Sequence, residues 1–357
     1  MRLPREARND PVVTGRSFRV GSLLVEPAVN LAPMAGITDM AYRRLVRELN
    51  PGAVGLVVSE FISVEGLTRN DLKSHRMMRF DASERPVGIQ IFGGEIDRMV
   101  EAGALVQATG VDFVEVNCGC PVPKVVKKGG GAELLRRTSH LERMLRSMRR
   151  ELSIPLTLKI RIGWDDATIN AVEVAQMAED AGVALLTVHG RTRVQLYTGS
   201  ADWERIGAVK QAIGIPVVGS GDVVDAKTAR ERIASGVDGL AIARGAIENP
   251  WVFSEIAADR AGGVRPAPTP SERFAALRRF RVLLEEMYPI PVAAARLRGM
   301  ACRMARAFPG SAALRHALGG TKSSDALLGV LADFEAGVRP PASDASLAAP
   351  PSDARAA

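Results

Sequence analysis

The chain has 357 residues, 46% of them hydrophobic, which suits one large domain with a smaller one, or two medium domains. Its formal net charge of +7 favours an anionic partner such as nucleic acid, although an arginine-rich genome also yields basic proteins without one. Three cysteines are too few for a disulfide framework, and no apolar run approaches the roughly 18 residues of a membrane helix. The charged N-terminus has no apolar signal core, so we expect a cytoplasmic protein.

Eight short runs of apolar and β-branched residues recur along the chain, each bounded by Gly, Pro or Asn. Several are apolar almost throughout, which is typical of strands that are buried on both faces. Amphipathic segments between them are predicted helices, with Thr38 and Asp225 as two of the N-caps. The predicted strands are Asn30–Met34, Ala53–Glu60, Pro86–Phe92, Asp112–Asn117, Pro155–Ile162, Ala184–His189, Pro216–Ser220 and Gly239–Ala243.

Strand and helix alternating eight times predict an α/β fold, a (β/α)8 TIM barrel, over residues 18–260. A doubly wound open sheet is the alternative. It usually has fewer units and carries GxGxxG in its first turn, whereas the first predicted strand here ends in APMAGITD. We therefore predict the barrel.

The pattern changes after Trp251. Residues 261–270, AGGVRPAPTP, indicate a linker, and residues 271–338 predict a small all-helical domain. Between Ser271 and Lys322 this domain has ten Lys or Arg against three Asp or Glu. Residues 1–17 and the Pro/Ala/Ser-rich residues 339–357 are predicted to be disordered.

The active site of a TIM barrel lies at the C-terminal ends of its strands. Predicted strands seven and eight end in Gly219-Ser220-Gly221-Asp222 and Ala243-Arg244-Gly245. Small residues there let backbone N–H groups approach a phosphate, aided by a helix N-terminus, and Arg244 adds a charged donor. The alternative is that the glycines only turn the chain.

A phosphate site with Gln90, Lys159 and His189 around one cavity suits FMN. Lys159 would stabilise negative charge on the reduced flavin, and Gln90 would hydrogen-bond the edge of the ring. For Lys159 the alternative is an ion pair inside the barrel mouth, and for His189 it is a hydrogen-bonded core histidine. A Lys within the apolar strand TLKIRIG favours a functional role, because burying an unused charge is costly.

The segment VEVNCGCPVPKVVKKGGGAELL places Cys118 and Cys120 one residue apart at the end of predicted strand four. A zinc site is disfavoured because Cys302 is distant and no His lies nearby, and a CxC redox pair would be strained. A single thiol acting as general acid or nucleophile fits better, with a buried structural Cys as the alternative. Lysines of this loop are expected to lower the thiol pKa. They are Lys124, Lys127 and Lys128.

Seven motifs occur in order along the chain: APMAGITD, IQIFG, NCGCP with KVVKKGGGAELL, LKIRIGW, HGRTR, GSGD, and ARGA followed by NPW. Together they resemble the tRNA-dihydrouridine synthase family, and within it the bacterial B-type subfamily, from about Phe18 to about Gly319. The NCGCP loop combined with HGRTR is specific, since other FMN barrels lack this pair.

The resemblance implies a flavoenzyme that reduces the 5,6 double bond of a D-loop uridine in tRNA, with NADPH as the electron source. It makes Cys120 the general acid that protonates uracil C5 after FMN delivers hydride to C6, and Cys118 a bystander. Substrate contacts are implied for Asn117, Arg161, Arg191 and Arg193. FMN contacts are implied for Pro33, Met34, Ala35, Gln90, Lys159, His189, Ser220, Gly221, Asp222, Ala243 and Arg244. Two of these depart from the family pattern: Ser220 replaces Asn, and Ala243 replaces Gly.

The basic helical domain would recognise tRNA by shape and phosphates, and a uridine must leave its stack to meet a flavin. We expect a monomer without a metal. One alternative is a small-molecule FMN-dependent ene or pyrimidine reductase, which the helical domain and the NCGCP loop disfavour. Another is a non-catalytic RNA-binding protein, which the intact Cys120, Lys159 and His189 disfavour. Candidate tRNA contacts are Arg278, Arg279, Arg281, Arg296, Arg298 and Arg303.

Overall fold

The computed structural model describes residues 16–307 and 311–337. The segments predicted to be disordered, 1–17 and 339–357, lie outside these residues except for Arg16 and Ser17. Arg16 is held by a hydrogen bond from its guanidinium to the Val237 carbonyl, 3.1 Å long. The described chain therefore begins with a residue anchored to the barrel.

A closed parallel barrel of eight strands forms the larger part of the described chain, which confirms the predicted TIM barrel and excludes an open sheet. The second barrel strand is split into β4 (Val57–Val58) and β5 (Ile62–Ser63), and both parts pair with β6 (Val87–Phe92). The ring closes because β4 also pairs with β3 (Val29–Leu31), which in turn pairs with β11 (Gly239–Ile242). The strands are β3 (Val29–Leu31), β4 (Val57–Val58), β5 (Ile62–Ser63), β6 (Val87–Phe92), β7 (Phe113–Cys118), β8 (Leu156–Arg161), β9 (Leu185–His189), β10 (Val217–Ser220) and β11 (Gly239–Ile242).

Helices surround the barrel and cover its apolar strands. Their bounds are α1 (Met40–Leu49), α2 (Val64–Leu67), α3 (Leu72–Met77), α4 (Ile96–Gln107), α5 (Pro123–Val126), α6 (Thr138–Glu151), α7 (Ala171–Asp180), α8 (Trp203–Ala212), α9 (Ala226–Ile233), α10 (Arg244–Glu248) and α11 (Val252–Arg260). Strand residues that point outward, such as Val114 and Val116, join the core between sheet and helices. This explains why the strands read as continuous apolar runs.

A two-stranded hairpin closes the N-terminal end of the barrel. It consists of β1 (Phe18–Val20) and β2 (Leu23–Val25), paired antiparallel. Phe18, Val20 and Val25 form a small apolar cluster with inward-facing Phe113 and Val218. Since this end is sealed by apolar side chains, a polar site can form only at the opposite end.

The predicted N-caps have different outcomes. Asp225 caps α9 in a capping box with Thr228, as predicted. Thr38 does not cap α1; the cap is Asp39, whose side chain accepts from the Tyr42 N–H. The Thr38 hydroxyl instead donates to the Met34 carbonyl, so it closes the turn after β3.

Four helices follow the barrel and pack as a helical unit against α1. They are α12 (Pro270–Glu285), α13 (Ile290–Met304), α14 (Ser311–Gly319) and α15 (Ser324–Glu335). Residues 263–269 join α11 to α12 without regular structure. In the interface the rings of Tyr42 and Phe280 meet edge to face, with centroids 6.0 Å apart. None of the helices in the described residues is both long and apolar enough to span a membrane.

Candidate active site

A ladder of polar side chains crosses the barrel interior from β6 to β7. Glu115 and Asn117 share the inward face of β7, because side chains two apart on a strand point the same way. Asn117 donates through Nδ2 to Oε1 of Gln90, 2.7 Å, and Gln90 donates through Nε2 to Oε1 of Glu115, 2.7 Å. All three residues are buried. The orientation of Gln90 is thus fixed from both sides.

Asn117 also positions the loop that carries Cys120. Its Oδ1 accepts from the backbone N–H groups of Gly119, 3.1 Å, and Cys120, 2.9 Å. The Cys120 carbonyl in turn accepts from the Ala132 N–H, 3.1 Å, so the far end of the loop returns to the same residue. Both ends of the loop therefore fix the position of Cys120.

The expectation that nearby lysines lower the pKa of Cys120 is wrong. Burial raises the pKa of this thiol, and a backbone hydrogen bond from Val122 and the charges of Arg161 and Lys159 oppose this shift only in part. Cys120 is 6% exposed. Its loop lysines lie on the outer side of the loop. Lys124, Lys127 and Lys128 are all exposed.

Lys159 of β8 is paired with Asn117 of β7, and Glu115 lies on the same side of the barrel wall. Burial lowers the pKa of Lys159, and the negative charge of Glu115 opposes that shift. Burial likewise raises the pKa of Glu115, and Lys159 opposes it. Each group therefore favours the charged form of the other inside the barrel, while no salt bridge between them forms in the described residues.

Arg161 has backbone partners in two loops. Its Nε donates to the Gly119 carbonyl, 2.9 Å, next to Cys120. Its Nη1 donates to the Thr192 and Leu196 carbonyls, both at 2.8 Å, in the loop after β9. Arg161 therefore ties the Cys120 loop to the HGRTR loop, a role that the implied substrate contact did not include.

Donors converge at the ends of β9 and β10. The Nη2 atom of Arg191 donates to both carboxylate oxygens of Asp222, at 2.9 and 2.8 Å, while its buried Nη1 has no partner in the part of the chain that the structure describes. Nδ1 of His189 is also buried without a partner. A Cβ placed on Gly221 would lie 3.8 Å from both Arg191 Nη1 and His189 Nε2. Arg191 Nη1, an unpartnered donor beside a glycine, suits an anionic group such as a phosphate.

The charges at this end support the same interpretation. Burial, with Lys159 and three arginines, places the pKa of His189 well below its ordinary value, so the imidazole is neutral at pH 7. Burial opposes ionisation of Asp222, but the Ala201 N–H and Arg191 outweigh it and lower its pKa. A carboxylate held this way orients arginines and is unsuited to direct phosphate contact. Asp222 adopts φ +54° to reach them.

The remaining cofactor candidates surround this cluster. Arg244 begins α10, lies 3.3 Å from Asp222 and stacks on Tyr197, 5.1 Å from the ring centroid. The Ser220 hydroxyl donates to the Ala241 carbonyl, 3.1 Å, so its proton is already engaged. Ala243 immediately precedes α10.

The loop after β3 carries Pro33, Met34 and Ala35 at the same end of the barrel. The N–H of Gly36 in this loop donates to Glu60. From the helical unit, Arg296 donates to the Gly36 carbonyl, 3.2 Å, and to buried Asp39, 2.9 Å. The predicted tRNA contact at Arg296 is therefore, in this structure, a link between the helical unit and the barrel.

Sequence reasoning missed Glu115, Glu60 and Asp39 as parts of the site. The signal for Glu115 was present, since it is a carboxylate inside the apolar run VDFVEVN, next to the strand that carries Lys159. Glu60 and Asp39 gave no such signal, because their shared partner Arg296 is more than 230 residues away in the sequence.

The other two cysteines lie apart from the polar ladder. Cys118 is fully buried on the outward face of β7 in the apolar core. Cys302 is in α13, with its sulfur 3.8 Å from the Arg315 carbonyl. Of the implied substrate residues, Arg193 lies at the rim, with its guanidinium 4.8 Å from the Trp164 ring centroid.

Comparison with known proteins identifies the family of this chain. The family model described as dihydrouridine synthase (Dus) matches residues 30–333. A probable tRNA-dihydrouridine synthase 1 from Synechocystis is 36% identical over 312 residues, 87% of this chain and 86% of its own. The tRNA-dihydrouridine synthase B of Pseudomonas putida is 40% identical over 254 residues, 71% of this chain and 74% of its own. A probable tRNA-dihydrouridine synthase from Mycobacterium tuberculosis is 35% identical over 334 residues, 90% of this chain and 85% of its own. The family resemblance predicted from the motifs is confirmed, and this chain belongs to the dihydrouridine synthase family.

Proposed function

We propose that this chain is an FMN-dependent tRNA-dihydrouridine synthase that reduces the 5,6 double bond of a D-loop uridine, with NADPH as reductant, in the cytoplasm. The observation that carries the proposal is Cys120, a thiol kept protonated by burial and held in place by Asn117 at the polar end of the barrel. A protonated thiol in this place is a proton donor, and reduction of a uracil requires one at C5.

The residues present fit FMN. The unpartnered Nη1 of Arg191 beside Gly221 would bind its phosphate, with His189 Nε2 next to the same glycine and Arg244 at the rim. Lys159 would place a positive charge near the ring, and Gln90, fixed by Asn117 and Glu115, would hydrogen-bond its edge. Bound FMN supplies the hydride for the reduction.

The protein side chains would then have separate tasks. Asn117 would hold the uracil as well as the Cys120 loop, and Cys120 would give its proton to uracil C5. Arg161 keeps the Cys120 loop and the HGRTR loop together, so that the donor does not move away from the base. Burial of the site excludes water from the thiol, which preserves its proton for the substrate.

The test uses the purified protein, tRNA from a strain that lacks this gene, and NADPH. We expect a yellow protein with flavin absorbance near 450 nm and dihydrouridine formed in the tRNA. Dihydrouridine is measured by mass spectrometry of the digested tRNA. A protein that cannot be loaded with FMN, or a loaded protein that reduces free pyrimidines but never tRNA, would contradict the proposal.

A further inference from the structure

A cavity lies away from the barrel axis, on the outer side of the loop that holds Cys120. Its volume is about 750 Å³, which is within the range of ligand sites. Of the residues predicted for the active site, Arg193 alone also lines this cavity. Its wall includes α5 and Gly129, both in the loop whose return fixes the Cys120 carbonyl.

The charge of this cavity is strongly positive. Five cationic side chains and two carboxylates, Glu95 and Glu133, line it. Arg136 pairs with Glu133 at 3.4 Å. Within residues 16–307 and 311–337, the other four cations have no carboxylate within salt-bridge distance, and the Nε of Arg193 is buried without a partner. These four are Lys127, Lys128, Arg137 and Arg193.

The single aromatic ring of the lining, Trp164, is engaged by arginines. The guanidinium carbons of Arg136 and Arg193 lie 4.7 and 4.8 Å from its ring centroid. These contacts hold the two guanidinium groups at the cavity, and the ring that would stack a base is already covered. The cavity therefore offers fixed positive charge, which suits phosphate groups and carries no base preference.

We propose that this cavity binds phosphates of the tRNA strand next to the uridine that enters the active site. The inference rests on the proposed function. Because the same loop lines the cavity on its outer side and holds Cys120 at its root, a phosphate bound here would lie beside the nucleotide presented to the thiol. Binding would be independent of sequence and sensitive to salt.

The test compares the exposed cations of the cavity with a matched cation elsewhere. The variants are Lys127→Gln/Lys128→Gln and Arg137→Gln, and the control is Arg150→Gln. Arg137 immediately precedes α6 and exposed Arg150 lies near its other end, about 20 Å away by helix rise. Flavin content shows that each variant is folded.

Binding of unmodified tRNA is measured at several salt concentrations. Each lost phosphate contact should reduce the slope of log affinity against log salt by about 0.7 to 0.9, so the double variant should lose about 1.5. The control should bind like the wild type, and the apparent KM for NADPH in flavin reduction should stay unchanged. Unchanged tRNA affinity and slope in both variants would overturn the inference. A raised KM for NADPH with normal tRNA binding would assign the cavity to the dinucleotide instead.

The two proposals fail differently. If the wild-type protein forms dihydrouridine but the variants bind tRNA normally, only the cavity assignment is overturned. If the wild-type protein forms no dihydrouridine, the proposed function is overturned, and the cavity inference with it.

Discussion

The protonation state of Cys120 follows from its burial and not from the lysines near it in sequence. The lysines of the loop predicted a lowered pKa, but their side chains are exposed, whereas Cys120 is 6% exposed. Burial therefore dominates and raises the pKa. A raised pKa impairs a thiolate nucleophile and favours a proton donor, so the structure supports one of the two chemistries that the sequence left open.

The raised pKa predicts the alkaline limb of the pH profile. Proton donation requires the thiol form, so activity should persist up to the folded pKa of Cys120 and fall as pH rises through it. Since that pKa is above its ordinary value, the fall in kcat/KM should come at higher pH than for an unperturbed thiol. The measurement is kcat/KM for dihydrouridine formation against pH. A fall centred below about pH 8.5, the ordinary pKa of a thiol, would contradict the assignment.

Replacing the thiol separates the roles of the two cysteines. Cys120→Ala should retain FMN and be reduced by NADPH, yet lose about 10²- to 10⁴-fold in dihydrouridine formation, the usual contribution of a general acid. Cys118→Ala is the matched control, because that side chain points away from the site into the apolar core. Single-turnover assays with prereduced enzyme measure the step directly. Loss of activity on replacing Cys118 would show that the roles are reversed.

The loop from Gly119 to Gly131 depends on a glycine at its return. Gly131 has φ +59°, and a Cβ there would lie 2.7 Å from the Cys120 carbonyl oxygen. Gly131→Ala should therefore move the Cys120 backbone as well as strain its own, and we expect about a 100-fold loss of activity, since small displacements of a reacting group have such effects.

The control for this prediction is Gly110→Ala. Gly110 has φ +77°, but a Cβ there would meet nothing within 4 Å. Both variants incur the strain of a left-handed backbone, roughly 1 kcal/mol or more, and Gly131→Ala should lower the thermal unfolding temperature further because its Cβ also clashes with the Cys120 carbonyl. Equal loss of activity in the two would show that Gly131 has no special relation to Cys120.

Elements were more predictable than their contacts. The eight barrel strands could be located because each is an apolar run bounded by turn residues. The split of the second strand was missed, because β4 lies within the predicted Ala53–Glu60 whereas β5 begins at Ile62, beyond its predicted end. The hairpin β1–β2 was missed because strands of three residues give no periodic signal. Thr38 and Asp39 are both good caps, and the local hydrogen bond from the Thr38 hydroxyl to the Met34 carbonyl leaves the capping position to Asp39.

The positive charge of the helical unit is partly used within the molecule. Arg279 forms a bidentate pair with Glu48 of α1, with both bonds at 2.7 Å, and Arg278 pairs with Glu335. Arg281 pairs with Glu285 and Asp325. Among the six arginines predicted to contact tRNA, Arg298 and Arg303 have only backbone partners in the described residues. Sequence counts therefore overstate the charge that this unit can offer to tRNA.

Arg296 is the charged centre of the contact between the helical unit and the barrel. It lies 2.9 Å from Asp39 and 4.0 Å from Glu60, and its guanidinium stacks on Tyr288. Burial raises the pKa of Asp39 and, with the charge of Asp39, that of Glu60, while Arg296 lowers both. A carboxyl whose pKa is raised on folding contributes stability that is lost as pH rises through the folded pKa.

Removing this cation should therefore destabilise the protein more at high pH than at low pH. Arg296→Met leaves Arg43 as the remaining cation that favours the charged forms of the two buried carboxylates at pH 8, with an expected loss of about 1 to 3 kcal/mol; a fully buried pair would lose about 3 to 5, but Arg296 is 26% exposed. At pH 5 both carboxyls bind protons more readily and the loss should shrink. Denaturant unfolding at the two pH values measures it, with exposed Arg303→Met in the same helix as control. An equal loss at both pH values would mean that Arg296 acts through packing alone. The variant should also release FMN more easily, because it loses the hydrogen bond from Arg296 to the Gly36 carbonyl in the loop of Pro33, Met34 and Ala35.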